Sequence, residues 1–220
     1  MQRLFEIKKT QLQMVRDRGY DLTPEEEQIL TTNMDGFLTY MQALATANPR
    51  ATARSLLSRS YTSKYPNGSI RNMLVYYGGK LSPHQKQVSA EIVREFIALV
   101  QSYKISEAIL IVDAPLSSTG DNELSALTLV KWQVFFDSEL TYNPTLHVDT
   151  PRHELLSHDE THLKMKELGA DFSKLLIIKL DDPIIRYWGW TVGGLVRIHR
   201  DDSAISILAP KSINYRVIVG

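Results

Sequence analysis

The chain has 220 residues, 43% of them hydrophobic, and balances 25 basic against 25 acidic side chains. That length can bury one large core or two small ones, while zero net charge excludes a chain-wide electrostatic footprint for nucleic acid or an anionic membrane. With no cysteine, disulfides, thiol nucleophiles and cysteine-ligated zinc or iron–sulfur sites are excluded as well.

The N-terminus mixes Arg3, Glu6, Lys8 and Lys9 into its apolar positions, so no secretory leader is expected. Leu4, Phe5, Ile7, Leu12, Met14 and Val15 share about half of a helical wheel, which predicts an amphipathic helix closed by Gly19. Thr23-Pro24-Glu25-Glu26 offers a cap, a proline at the first helical position and a glutamate three residues after the cap, announcing a second helix. Between Ala45 and Gly68, with Pro49 and Pro66, periodicity is weak and a connecting segment with at most short helices is expected.

Met73 to Tyr77 reads as a strand ended by Gly78-Gly79, and Ser82-Pro83-His84-Gln85 as the start of a helix burying Val88, Ile92, Phe96 and Val100. Ala108 to Val112 is a continuous apolar run suited to a strand covered on both faces. A polar loop around Ser117 to Asn122, a helix-like stretch from Leu124 to Val130 and an aromatic-rich element from Trp132 to Leu140 follow. Prolines at Asn143-Pro144 and Thr150-Pro151 break regular structure, and the domain boundary is placed there, giving 1–145 and 146–220. The longest apolar runs, such as Ile109 to Val112 and Leu175 to Ile178, fall far short of the roughly 20 residues that span a bilayer, so no membrane contact is expected.

The last third opens with Ser157-His158-Asp159-Glu160, a capping box leading a helix to Gly169. Leu175 to Leu180 reads as a strand, Asp182-Pro183 as the cap of a short helix ending at Gly189, and Val192-Gly193-Gly194 as a turn into the strand Leu195 to Arg200. In the final strand Ile213, Tyr215, Val217 and Val219 alternate with Asn214, Arg216 and Ile218, as in a half-buried sheet. The C-terminal part is thus a small α+β module.

Three segments carry a resemblance. Arg3-Leu4-Phe5 through Lys8-Lys9-Thr10 to Asp17-Arg18-Gly19-Tyr20, with Thr23 and Glu26, is similar to the opening of the common subunit of the eukaryotic nuclear RNA polymerases. Glu139-Leu140, Asn143-Pro144-Thr145, His147 and Pro151-Arg152-His153 follow that family's E-L-x-x-N-x-T-x-H-x-x-x-P-x-H pattern without a gap. Asp182-Pro183-Ile184-Ile185-Arg186-Tyr187-Trp188-Gly189, then Gly193, Val196 to Arg200 and Tyr215-Arg216, resemble its D-P-x-x-R-Y-x-G module.

The resemblance implies an α+β protein of two domains. The first is an N-terminal three-layer α/β jaw, restriction-endonuclease-like, with leading helices, near downstream DNA. The second is a small C-terminal α+β assembly domain, homologous to a small subunit of the archaeal RNA polymerase, that docks on the largest subunit. It implies a non-catalytic structural subunit in the nucleus whose partners are the largest and other polymerase subunits. The implied interface is Asp182, Pro183, Arg186, Tyr187, Trp188, Arg200, Tyr215 and Arg216, with His147, Pro151 and His153 as structural motif residues. Two departures stand out: Leu175-Leu176 replaces the family's Leu-Pro, and a longer segment, Asp201 to Ser212, replaces its R-P-S-E-T-A-G signature. They imply a divergent copy dedicated to one polymerase, with polymerase I and a nucleolar location as the leading choice, or a copy shared by polymerases I, II and III.

Other chemistry is weaker. His158 and His162 stand one helical turn apart, near His147 and His153, which is metal-ligand spacing, yet exposed helix histidines are the preferred reading. Asp181-Asp182 and Asp201-Asp202 could hold magnesium only if carboxylates converged from separate elements. No cofactor is expected. Arg50, Arg54, Arg59 and Lys64, interleaved with Tyr61 and Tyr65, could meet phosphates near DNA or form a solvated loop. The aromatics around Gly189 serve equally as core or as a docking surface. Alternatives of another class are a metal-dependent nuclease of related fold, with Asp113 at a strand end but no acid-x-Lys partner, and a free transcription-factor adaptor.

Overall fold

The computed structural model describes residues 1–64, 68–82, 84–169, 171–200 and 212–220. Tyr65, Pro66, Pro83, Asp201-Asp202 and the rest of the altered segment up to residue 211 lie outside the described residues. The chain divides into two compact units, Met1–Tyr142 and Asn143–Gly220.

The first unit is built on a four-stranded sheet, β1 (Arg59–Lys64), β2 (Ile70–Tyr77), β3 (Glu107–Val112) and β4 (Lys131–Phe136), in that spatial order. β1 runs antiparallel to β2, whereas β2, β3 and β4 are parallel. Parallel neighbours need crossovers, supplied here by α4 (Ala90–Ser102) and α5 (Ser118–Ser125). Phe96 and Val100 of α4 and Leu124 of α5 pack with Leu74, Tyr76, Ala108, Leu110 and Val112 of the sheet. The alternate residues Met73, Val75, Tyr77, Ile109 and Ile111 are also buried and point to the opposite face. That face is covered by α1 (Gln2–Asp17), whose Gln11 accepts the Tyr77 hydroxyl at 3.2 Å. The result is three layers with β3 dry on both sides.

α2 (Pro24–Thr31) and α3 (Met34–Ala47) complete the α1 side. The capping box forms, Thr23 Oγ1 accepting from Glu26 N at 3.4 Å. Glu26 then has a second task. Its carboxylate, fully buried, accepts the Tyr61 hydroxyl at 2.8 Å and faces Lys8 Nζ at 3.4 Å. Lys8 also donates to Gln11 Oε1 at 2.9 Å and Tyr61 Oη at 3.1 Å. Burial pushes the Lys8 ammonium down to about 8, with Glu26 opposing the drop. At the far end of α1, Arg18 Nη1 meets Glu107 at 2.6 Å and its Nη2 meets Gln133 at 2.8 Å, tying the helix to β3 and β4.

Several expectations are corrected. The connecting segment contains β1, whose polar sequence hides the inward alternation of Tyr61 and Ser63. The helix expected at Ser82 starts only at Ala90, because Val88 is held extended by Val88 N to Pro115 O at 2.8 Å and Ser117 N to Val88 O at 3.0 Å. Ser82 makes a turn instead, accepting from Gln85 N at 3.1 Å. The expected polar loop at Ser117 to Asn122 is helix α5, since Ser117 Oγ caps Gly120 N at 3.2 Å, and it ends before the helix-like stretch predicted through Val130.

In the second unit the sheet order is β5 (Arg152–Leu155), β7 (Leu195–Arg200), β8 (Ser212–Val219) and β6 (Leu176–Lys179). β6 pairs parallel to β8, and the other pairs are antiparallel. α7 (Pro183–Trp188) covers one face, its Ile185 packing with Ile178, Val196, Ile198 and Ile218. Val217 and Ile218 are both buried while Ile213 is 53% exposed, so at its C-terminal end β8 is covered on both faces and the expected half-buried alternation is not kept there. On the other face α6 (His158–Leu168) places Lys164 Nζ 4.8 Å from the Tyr215 ring. Ser157 and Glu160 form the capping box, and Gly169 ends the helix in the left-handed region at φ 56°.

Removing one partner of the buried pair should leave a bare charge. Lys8→Met should therefore destabilise the first unit by about 3–5 kcal/mol, and Lys8→Met/Glu26→Leu should regain part of that. Urea unfolding of the full chain, followed by amide exchange in β2 and β3, measures both.

Candidate assembly surface

The residues expected at the interface do not form one surface. Asp182 is the cap of α7, its Oδ1 accepting from Ile184 N at 2.8 Å, and Pro183 is the first helical residue. Tyr187 is 1% exposed and its Oη accepts from Asn143 Nδ2 at 2.9 Å, so it is core and not docking surface. Trp188 is half-buried, edge-on to Tyr187 and stacked on Trp190 with centroids 5.7 Å apart and planes at 9°. Arg186 is half-buried beside them. Cross-strand register puts Arg200 and Arg216 on the α7 face, whereas Tyr215 turns to the opposite face under Lys164.

The motif residues gather near α7. His153 Nδ1 lies 2.7 Å from Pro151 O, which fixes the ring. Burial lowers the His153 pKa, and Arg216 and Arg200 add to that while the Pro151 carbonyl and Asp182 oppose it. A cavity of about 190 Å³ is lined by Thr145, Pro151, His153, Ile184 and Trp188. His147 is exposed and accepts from Asp149 N at 3.3 Å. His158 is 98% exposed and His162 is exposed as well. Among the described residues, no three His, Cys, Asp or Glu side chains converge as a metal site would require.

The basic stretch is also redistributed. Arg54 Nη1 and Nη2 grip Asp137 at 2.7 and 2.9 Å, Nε donates to Gly78 O at 2.8 Å and Nη2 to Ile111 O at 3.3 Å. This guanidinium is committed inside the fold at the C-terminal ends of the parallel strands, four of its five N–H groups donating to Asp137, Gly78 and Ile111. Arg59 is exposed and stands 3.8 Å from Glu26, and Arg50 and Lys64 are exposed as well. Asp113, the acid weighed for a nuclease, accepts Lys80 N at 3.1 Å.

Sequence reasoning missed where the exposed apolar side chains collect. Of seventeen large hydrophobic residues found exposed among the described residues, ten (Leu146, Val148, Leu155, Leu163, Leu168, Leu176, Ile177, Leu180, Val192 and Ile213) lie in the second unit, which has barely a third of the chain. Leu176 and Ile177 of β6 are 61% and 55% exposed, on opposite faces of the strand. The uncharged run Leu175 to Ile178 was the available signal, but it reads equally as a buried strand.

Because its partner is inside the fold, Arg54→Gln should cost about 2–3 kcal/mol of stability, whereas Arg50→Gln/Lys64→Gln should stay within about 0.5 kcal/mol; thermal melts of the three chains make the comparison.

With this geometry in view, residues 1–99 match the family described as RNA polymerase Rpb5, N-terminal domain, and residues 142–218 match RNA polymerase Rpb5, C-terminal domain. The chain is 28% identical to the Dictyostelium discoideum protein named DNA-directed RNA polymerases I, II, and III subunit rpabc1, over 99% of this chain and 98% of that one. It is 26% identical to the Caenorhabditis elegans subunit RPABC1 of the same three polymerases, over 99% and 96%. It is 25% identical to the Arabidopsis thaliana DNA-directed RNA polymerases IV and V subunit 5B, over 96% and 87%.

Proposed function

We propose that this chain, which belongs to the RNA polymerase Rpb5 family, works as a non-catalytic structural subunit of DNA-directed RNA polymerase, with its second unit docked on the largest subunit. The observation that carries the docking is the crowding of exposed apolar side chains into residues 143–220. Scattered singly they would mean little, but concentrated on a small unit they mark a surface that is covered in assembly. Trp188, Arg186, Arg200 and Arg216 add the aromatic and arginine anchors common at interfaces. Asp182 and Pro183 contribute by fixing α7.

The first unit stands in this reading as a jaw beside downstream DNA, and the family's place is the nucleus. Arg50, Arg59 and Lys64 are exposed charges within the stretch proposed for phosphates, and Arg59 already stands 3.8 Å from Glu26. If Arg50 and Lys64 both meet DNA, Arg50→Gln/Lys64→Gln should lower the slope of log affinity against log salt by about 2 in the assembled enzyme; an unchanged slope means that they are only solvated. The names of the relatives include both polymerases I, II and III and polymerases IV and V, so both shared and dedicated subunits occur among them. A copy dedicated to polymerase I, concentrated in the nucleolus, remains the reading of the altered segment after Arg200.

Affinity purification of the tagged chain from its own cells tests the whole reading. A single type of largest polymerase subunit should be recovered if the copy is dedicated, and all three nuclear types in similar amounts if it is shared. Recovery of the chain free of any polymerase subunit would point to an adaptor and defeat the proposal.

A further inference from the structure

β6 is an edge strand, bonded to β8 on one side alone among the described residues. Leu180 N donates to Val219 O at 2.8 Å, and in a parallel ladder alternate residues bond to the same neighbour. Ile178 therefore faces β8 as Leu180 does, and Ile177 and Lys179 turn their N–H groups outward. The Lys179 carbonyl is taken by Asp182 N at 3.1 Å. The Ile177 carbonyl has a poorer partner: Arg216 Nη1 reaches it at 3.5 Å, beyond the usual range of an N–H···O bond. The Nε of the same arginine is buried without a hydrogen bond among the described residues.

Natural edges are blunted by proline, inward charge or a bulge. The stretch Leu175 to Leu180 has no proline and a single charge, Lys179. Leu176 projects from the α7 face and Ile177 from the α6 face, both more than half exposed. An edge of this kind offers main-chain groups for affinity and alternating side chains for selectivity, which is how strand addition recognises an extended chain.

We propose that the edge of β6 left unpaired among the described residues receives an extended segment of a neighbouring polymerase subunit as a fifth strand of the sheet. The added strand exchanges hydrogen bonds with Ile177 N–H, Ile177 C=O and Lys179 N–H, and lays alternate apolar side chains against Leu176 and Ile177. An acidic side chain projecting from its α7 face answers the Nη end of Arg216, which reaches the edge at the Ile177 carbonyl. This rests on the subunit reading above and names the chemistry of one contact within it.

Ile177→Pro separates the edge from the fold, because it deletes an outward N–H and leaves the bonds between β6 and β8 in place. The tagged full-length variant should melt within a few degrees of the wild type and recover at least tenfold less of the largest polymerase subunit, while Ile177→Val recovers it normally. Independently, amide exchange at Ile177 and Lys179 should be fast in the free chain and at least tenfold slower in purified polymerase, an arm that decides even if the proline variant unfolds. Normal recovery with Ile177→Pro, or equal exchange in free and assembled chain, overturns the added strand alone. A wild-type dimer that Ile177→Pro converts to monomer also overturns it, because the occupant is then a second copy. Failure of the wild-type chain to bring down any polymerase subunit sinks the subunit reading and this one with it.

Discussion

A sheet of four strands with one short helix on its core face cannot bury all the apolar side chains it carries, and that constraint governs the second unit. α7 has six residues and closes over Ile178, Val196, Ile198 and Ile218 through Ile185. α6 buries none of its own residues, and Leu163 and Leu168 remain 66% and 41% exposed on it. At roughly 25 cal/mol per Å² of apolar surface removed from water, each side chain left out is stabilisation not yet gained. A small domain has few ways to recover it, and association with another chain is one.

The first unit meets its constraints internally. Its central strand is dry on both faces, and the charged groups brought inside with it find partners: Lys8 with Glu26, Gln11 and Tyr61, Arg18 with Glu107 and Gln133, Arg54 with Asp137. Apart from Lys8 with Gln11, which lies within α1, each pair joins elements distant in sequence, so these contacts specify which helix lies on which strand. Glu26 is the clearest case. One carboxylate serves the cap of α2 and the ion pair beneath it, so the start of the helix and its docking on the sheet are fixed together. A unit closed in this way keeps few charges for outside partners, and the arginine that looked most available in sequence, Arg54, is the most fully engaged.

Features set by neighbours in sequence were legible, and those set by distant partners were not. The boxes at Thr23 and Ser157, the cap at Asp182 and the stops at Gly169 and Gly189 involve residues within a turn of each other, and each forms where its residues stand. β1 escaped notice because its inward positions are Tyr61 and Ser63, which do not make an apolar stripe. The false start at Ser82 had the right local letters, but the bridge of Val88 to Leu116 holds the chain extended past them. Arg54 finds its carboxylate 83 positions away, and no local pattern announces that. For the assembly surface, the motif from Asp182 to Gly189 was read correctly as a unit, yet its aromatics divide: Tyr187 goes inside with Asn143, while Trp188 stays half-buried against Trp190.

Arg216 links the core of the second unit to its open edge. It sits in β8 opposite Val196 and Leu176, on the face that α7 covers, where an apolar residue would pack without cost. A guanidinium held there with a buried Nε that finds no acceptor among the described residues is destabilising in the free chain, since an unmet buried donor costs about 1–3 kcal/mol. Its reach to the Ile177 carbonyl at 3.5 Å recovers little of that. An acceptor arriving at the edge of β6 would give the Nη end of this guanidinium a better partner than the Ile177 carbonyl. The same groups that weaken the isolated unit would then strengthen the assembled one, which ties the stability of this unit to the presence of its partner.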